Sequence, residues 1–597
     1  MVRTDGGSPV AVSTARQQLP LLTAGRFAIL AEKASVSSWE NEGPAAESNF
    51  WVRLAWPNWR HSALWLLGLA LLVAVLVKGV VVSRTVCISR DGVDYIQYAI
   101  YLQREPWPTV FRESQHHPLY PLGIAVCQRV LFRGRESEPE SWQWAAQLVN
   151  FLAGLLATPA VFLVAHRLVG RAAAFWVAVL INVLPGLANC LCDALSEGLY
   201  LAGVFWALAL VVVGLVRGDW LWFALAGLAC GLAYLTRPES ALLAVSVLIS
   251  LPLLYFRHGW PGNGRSLGVC LGAFLTAFLL CVLPYTYIIG AWTVKPSGRL
   301  ILQSARFGFS GVTAAAISCP TLAAHIPNPD HLHPLRALYY VLEDTAQGFL
   351  YAPLILVVPG YILALRRLRR EPGWLIVVIY TLIHFLVLWR GVLILGYIAE
   401  RYTYPITVCG LISAALAWRY IRAGGWRNRS ANTRAASISL PCWAAGLSLR
   451  QFRRIAGLAL TALVSLCVGK LFLEPLHQGA AGHRQAGYFL RQHLQAGDNL
   501  FDPYGLAAFY SGYALEWADR FPQPTGSAQG DWWFVLNRRE RDNHVREKLV
   551  AFQAVADAAQ VVFRSDMPGA AEVVVYRVPA PVPSLSPLRG RYLPRVR

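Results

Sequence analysis

Residues 63–82 read ALWLLGLALLVAVLVKGVVV, and shortly after them come Arg90-Asp91-Gly92-Val93-Asp94-Tyr95-Ile96-Gln97-Tyr98-Ala99. The first run is long enough to cross a bilayer as one helix, which takes about twenty apolar residues. The second places two carboxylates just beyond that span. On a helix Asp91 and Asp94 are i,i+3 neighbours, and Tyr95 and Tyr98 each lie four residues beyond one of them. A carboxylate held at a lipid–water boundary can take a proton from a hydroxyl while a lipid-borne substrate lies beside it. The same residues also fit an amphipathic surface helix whose acids are simply solvated. His116-His117-Pro118-Leu119-Tyr120-Pro121 follows about twenty residues later.

Composition places this stretch in a membrane protein. The chain has 597 residues, 56% hydrophobic and only 14% charged, against about 25% charged in soluble domains. Its net charge of +20 could suggest nucleic acid, but the basic residues cluster in short loops between apolar runs, as the positive-inside rule expects. The eleven cysteines are scattered, with no CxxC and no Cys/His metal spacing. Cys87 and Cys127 are the one pair placed to bridge on the outer side.

The spans can be walked from a cytoplasmic N-terminus. Residues 1–60 are polar and Ser/Ala-rich and read as a disordered cytoplasmic tail, with no secretory h-region. The span at Ala63–Val82 then acts as an uncleaved anchor, and Lys78 near its end can snorkel. A second span, near Trp142–Ala165, leaves at His166–Arg171. The third and fourth turn outside around Asn189–Glu197, and the fifth and sixth around Thr236-Arg237-Pro238-Glu239. A seventh ends near Gly290 and precedes an outer loop of about 45 residues. The eighth leaves at Arg366–Arg370, the ninth and tenth meet outside around Arg390–Tyr402, and the tenth runs into the basic Arg419–Arg434. A last span covers Ile455–Phe472; the stretches near Leu393 and at Ser437–Leu449 are the hardest to assign. Every loop assigned inside is basic. The expected architecture is an α-helical polytopic membrane domain at 61–474 with about eleven spans, its outer loop 84–141 carrying the acids.

Residues 475–580 leave the membrane pattern. Asp498–Asp502, Asp531–Leu536, Gln560–Phe563 and Glu572–Val578 read as strands, the last two joined by a Met567-Pro568-Gly569 turn. Tyr504–Tyr510 and Arg539–Ala551 read as helical. This predicts a small α/β domain on the outer side, followed by a Pro/Arg-rich tail, 581–597, without a fold of its own.

Ionisable residues at membrane depth are functional candidates by default. Here they gather at outer ends of spans: Asp91 and Asp94 after the first, Asp193 and Glu197 between the third and fourth, Arg237 and Glu239 between the fifth and sixth, Glu400, Arg401 and Tyr402 before the tenth. A closed bundle would ring one cavity with them. Taken singly, each pair is equally a snorkelling residue or a structural salt bridge.

The Asp-x-x-x-Tyr at Asp91–Tyr95, the His-Pro-Leu-Tyr-Pro at His117–Pro121, the Leu-Thr-Arg-Pro-Glu at Leu235–Glu239 and the Glu-Arg-Tyr-x-x-Pro at Glu400–Pro405 resemble motifs of the C-superfamily (GT-C) membrane glycosyltransferases. Within them the chain looks most like the dolichyl-phosphate-mannose-protein mannosyltransferase-like and lipid A aminoarabinose transferase-like proteins, over roughly residues 60–420. The resemblance implies an integral multi-pass protein of a bacterial inner or plasma membrane. It would move a hexosyl or pentosyl unit, with inversion, from a polyprenyl-phosphate donor to an extracytoplasmic protein, lipid or glycan acceptor. By motif position Asp91 matches the family's base, with Asp94 second. Inverting transfer also needs a stabilised leaving phosphate, and guanidinium forks fit phosphate oxygens. Arg237 and Arg401 are the candidates, then Lys295; His117 and Tyr95 complete the substrate contacts. Glu239 and Glu400 are expected to hold the arginines, supported by Asp193, Glu197 and Tyr402.

In many relatives the two acids of this loop are adjacent, whereas here Gly92-Val93 separates them. This leaves open which acid is the base. It also leaves open a divalent ion held by both carboxylates and a histidine, although no metal ligand set is assigned and no cofactor beyond the donor lipid is implied. Two other classes fit a polytopic chain. A flippase or transporter would spread polar residues through both halves of the bilayer. A non-catalytic assembly subunit would not need Asp91 or Asp94.

Overall fold

The computed structural model describes residues 61–258, 264–295, 297–299, 301, 333–422, 449–516, 530–537, 552 and 556–580. The expected tail 1–60, most of the long loop after Gly290, nearly all of Ser437–Leu449, the helix expected at Arg539–Ala551 and the tail 581–597 lie outside them.

Helix α1 (His61–Ser83) is the first span, and α2 (Arg90–Arg104), α3 (Trp107–Glu113) and α4 (Leu119–Leu131) fold the loop that follows. Then come α5 (Pro139–Leu168), α6 (Arg171–Val183), the short α7 (Pro185–Cys190), α8 (Glu197–Arg217), α9 (Trp220–Thr236), α10 (Ala241–His258) and α11 (Gly264–Ile289). Helices α12 (Pro334–Gly348), α13 (Leu354–Arg367), α14 (Gly373–Leu395), α15 (Tyr404–Arg422) and α16 (Leu449–Leu473) complete the helical part.

Eight of the described helical segments are long and apolar enough to cross a membrane, and Leu119–Leu131, Arg171–Val183 and Trp220–Thr236 are shorter apolar helices. The third expected span is broken because Pro185 has no N–H to continue the ladder of α6. Pairs of helices pack closely: α9 along α8 and α11, α5 along α6 and α8, α13 along α15. At the α9–α11 crossing a Cβ on Gly227 would collide with the carbonyl of Phe274, the small-residue contact that lets membrane helices approach.

Lys78 does not snorkel. Its side chain is fully buried, turned inward toward Gly154 of α5. Cys87 and Cys127, which could have paired on the outer side, are both free thiols, and Cys87 is buried.

The C-terminal part is a four-stranded sheet with α17 (Ala481–His493) on one face. Strands β1 (Asn499–Phe501), β2 (Trp532–Asn537), β3 (Gln560–Arg564) and β4 (Val573–Val578) are ordered β1-β2-β4-β3. β1 runs parallel to β2, and the other pairings are antiparallel, with Phe534 opposite Tyr576. Ala486 and Leu490 of α17 pack on Trp533, Val535, Val573 and Val575. The four strands and the 567–569 turn stand where the alternating pattern predicts them; Gly569 takes φ +78°, the left-handed conformation that favours glycine. Helix α18 (Leu506–Tyr510) covers the expected 504–510 segment.

This domain grips the loop that carries the acids. Val86 N–H donates to the Leu476 carbonyl at 3.1 Å, Arg484 donates to the Val86 carbonyl at 2.7 Å, and Ile88 N–H donates to the Tyr510 hydroxyl at 3.1 Å. The Tyr510 hydroxyl in turn donates a hydrogen bond to Gln143 Oε1 of α5 at 2.8 Å. The segment between the first span and α2 is thus fixed at both backbone polarities.

Candidate active site

Asp91 stands in the first turn of α2. Ser89 caps that helix, its hydroxyl accepting from Gly92 N–H at 3.2 Å, and the helix N-terminus favours a carboxylate there. A Cβ on Gly92 would come within 2.8 Å of the Ala194 side chain and 3.0 Å of the Ala194 carbonyl. Glycine at this position lets α2 lie close to the turn between α7 and α8.

The two acids diverge. Asp91 Oδ2 meets Arg401 at 2.5 Å. Asp94 is about half exposed, with His116 Nε2 3.9 Å from its carboxylate. Burial alone would push the Asp91 carboxyl up, but Arg401, with smaller help from His116 and Arg90, holds it below the ordinary carboxylate range. Tyr95 is buried under this pair, its hydroxyl 2.8 Å from Ser196 and its ring 4.4 Å from His116.

Three other chain turns deliver the partners. The extended backbone of Arg237 before Pro238 turns its side chain inward to Glu197. Its second partner is Glu239 at 3.3 Å. Tyr402 and Tyr200 lie under the guanidinium, with ring centroids 4.9 Å and 5.7 Å away. Arg401 enters from the short 3-10 turn Glu400–Thr403. Its Nε lies 3.4 Å from the same Glu197 oxygen, without hydrogen-bond geometry. Lys295 reaches Glu239 at 3.2 Å. The result is a chain of alternating charge, Asp91–Arg401–Glu197–Arg237–Glu239–Lys295, at one end of the bundle. Such pairing is what a buried charge requires. Arg237 is sealed at 4% side-chain exposure, whereas Arg401 at 27% and Asp91 at 35% form the accessible edge.

Several expected residues stand elsewhere. Glu400 makes no ion pair with an arginine among the described residues. Its partner is the Tyr404 hydroxyl, and Glu197 holds both arginines instead. Asp193 lies beneath α2 rather than in the charge chain: it accepts from Ser89 N–H at 3.2 Å and from His477 at 2.8 Å. His117 is sealed, with Nδ1 2.8 Å from the Tyr234 carbonyl and Nε2 3.1 Å from Thr293 Oγ1. Burial, with Lys295 nearby, pushes its pKa down to about 3, so it is neutral near pH 7. For the divalent ion left open above, His117 has both nitrogens engaged, and among the described residues no three His, Cys, Asp or Glu side chains are grouped as metal ligands.

Ser196, His116 and His477 were not singled out from the sequence. Ser196 and His116 flank residues that were, so their signal was adjacency alone. Nothing local marks His477, which comes to Asp193 only through the docking of the C-terminal domain.

Residues 140–288 match the family described as dolichyl-phosphate-mannose-protein mannosyltransferase. No curated protein sequence matches the chain. Among solved structures, ArnT from Cupriavidus metallidurans bound to undecaprenyl phosphate is similar over 87% of this chain and 98% of its own, at 17% identity and TM-score 0.53. The apo oligosaccharyltransferase of Archaeoglobus fulgidus is similar over 80% of this chain and 69% of its own, at 14% identity and TM-score 0.51. The same organism's AglB with an inhibitory peptide and a dolichol-phosphate aligns at 15% identity and TM-score 0.49, over 73% of this chain, which spans 58% of that one. The resemblance read from the motifs is borne out in the fold, which is shared with ArnT and the apo oligosaccharyltransferase, and in the family match over residues 140–288.

Proposed function

We propose that the chain transfers a sugar from a polyprenyl-phosphate donor to an extracytoplasmic acceptor, with inversion. The observation that carries this reading is the accessible Asp91–Arg401 pair at one end of an apolar bundle. It sets a proton acceptor beside a phosphate-binding cation where a lipid headgroup can arrive from the side. ArnT, whose structure holds undecaprenyl phosphate, shares the fold, and this supports a lipid-phosphate donor.

In the reaction the acceptor hydroxyl attacks the anomeric carbon as Asp91 takes its proton. The new glycosidic bond forms as the bond from that carbon to the phosphate oxygen breaks, and one displacement inverts the centre. The polyprenyl phosphate leaves with its charge met by Arg401 and Lys295. Arg237 is sealed behind them and adds positive potential without direct contact. Asp94, at the solvent side with His116, is placed to orient the acceptor.

We assign the Asp91 end to the extracytoplasmic face. Helix α8 begins at Glu197 and ends at Arg217, and α15 begins just past Arg401 and ends at Arg419 and Arg422. The basic ends therefore lie away from the site, in keeping with a cytoplasmic far side. On this reading the N-terminal segment is cytoplasmic and the C-terminal domain extracytoplasmic, in a bacterial inner or plasma membrane.

The test is to offer the purified protein a panel of radiolabelled polyprenyl-phosphate hexoses and pentoses and follow binding and release of sugar. Binding of a panel member that weakens in Arg401→Ala supports the reading. Failure to bind any polyprenyl phosphate would sink it in favour of a transporter or an assembly subunit.

A further inference from the structure

The base and the phosphate-binding cation are bonded to each other. Arg401 Nη2 lies 2.5 Å from Asp91 Oδ2, so an ionised Asp91 is there, but one of its oxygens is engaged by a guanidinium. A carboxylate that accepts from a guanidinium is a weaker base, so Arg401 lowers the basicity of Asp91 for as long as it stays there. The same contact engages one guanidinium N–H and turns the positive charge toward Asp91 rather than toward a donor phosphate.

The other side of Arg401 is loosely made. Its Nε sits 3.4 Å from Glu197 Oε1 without hydrogen-bond geometry. The opposite oxygen, Glu197 Oε2, is buried and has no hydrogen-bond partner. Glu197 itself is 3% exposed and is anchored by Arg237, which cannot move because Glu239 and two tyrosine rings enclose it. A buried carboxylate oxygen without a partner costs free energy. It therefore offers Arg401 a second, fixed acceptor close to the first.

We infer that Arg401 is a two-position gate: without donor it caps Asp91, and an arriving lipid phosphate draws it away, freeing the base, while Glu197 holds the guanidinium in both positions. The inference rests on the reading above and adds an order to it. Asp91 becomes the stronger base only after the donor is bound, so water or acceptor alone meets a weakened one. Glu197 acts through Arg401 and is a positioning residue; Asp91 is the catalytic one.

Competition for one guanidinium is a thermodynamic coupling, and coupling is reciprocal. If Asp91 competes with phosphate for Arg401, removing its charge strengthens phosphate binding even as it removes the base. The experiment measures binding of sugar-free undecaprenyl phosphate to the intact protein in detergent. It compares wild type, Asp91→Asn, Arg401→Ala and the double variant, with thermal denaturation of each as a check on folding. The expected result is binding about tenfold tighter in Asp91→Asn, within the range usual for coupled sites, and no tightening when the same change is made in Arg401→Ala. Simple repulsion between Asp91 and phosphate would tighten both backgrounds equally, and that outcome overturns the gate. So does unchanged or weaker binding in Asp91→Asn. Glu197→Gln provides a second check: it weakens phosphate binding and abolishes the Asp91→Asn gain, whereas a merely structural Glu197 leaves that gain intact. Absence of binding in wild type would instead remove the donor assignment itself.

Discussion

Asp91 is ionised in the resting site because Arg401 outweighs its burial. Its folded pKa is depressed, so the ion pair adds stability above the ordinary carboxylate range and loses it as pH falls through the folded value. The same shift should appear in catalysis. kcat/KM reports groups of the free enzyme, and kcat those of the bound complex. If a bound donor draws Arg401 from Asp91, as proposed, the acid limb of kcat should lie at higher pH than that of kcat/KM. Initial-rate pH profiles at limiting and saturating donor check this, and coincident limbs would contradict it. His116 and Arg90 face the same carboxylate.

At the scale of elements, the sequence shows where strands and spans lie more clearly than which helix ends meet. The alternating runs at 532–537 and 573–578 are strands because their period of two fits a half-buried sheet. The long apolar runs are helices for an equally local reason. α6 is shorter than its apolar run because Pro185 cuts it, and that break was present in the sequence. What was not legible was partner choice. Glu400 adjoins Arg401 in the chain, yet the 3-10 turn aims the two side chains apart, and Glu197 from another helix takes the guanidinium. Adjacency along a chain fixes composition, whereas backbone turn geometry fixes direction. The α9–α11 crossing gives a test at this scale. Gly227→Ala pushes a methyl into the Phe274 backbone and should cost about 1–3 kcal/mol, seen as a lower Tm in detergent. Gly272→Ala, on α11 with open space around it, should leave Tm unchanged.

For the whole molecule, the C-terminal domain braces the loop that carries Asp91. Leu476, Arg484 and Tyr510 hold Val86 and Ile88, and His477 meets Asp193, which in turn holds Ser89 N–H. These contacts set the start of α2 and hence the place of Asp91. A 1 Å error in the position of a reacting group can lower a rate by about a hundredfold. Arg484→Ala combined with Tyr510→Phe should therefore lower kcat by about tenfold or more, with donor binding nearly unchanged, since Arg401 and Glu197 stand on other elements. Loss of donor binding with kcat intact would assign the domain to substrate capture instead.

The account stands most directly on Asp91 as the base of sugar transfer. The decisive measurement is the rate of polyprenyl phosphate release from saturating sugar donor by wild type, Asp91→Asn and Asp94→Asn, with donor binding measured on the same preparations. Asp91→Asn should bind donor at least as tightly as wild type and release it about 10²–10⁴-fold more slowly, while Asp94→Asn keeps most of the rate. Release at the wild-type rate in Asp91→Asn, or its loss only in Asp94→Asn, would contradict the assignment.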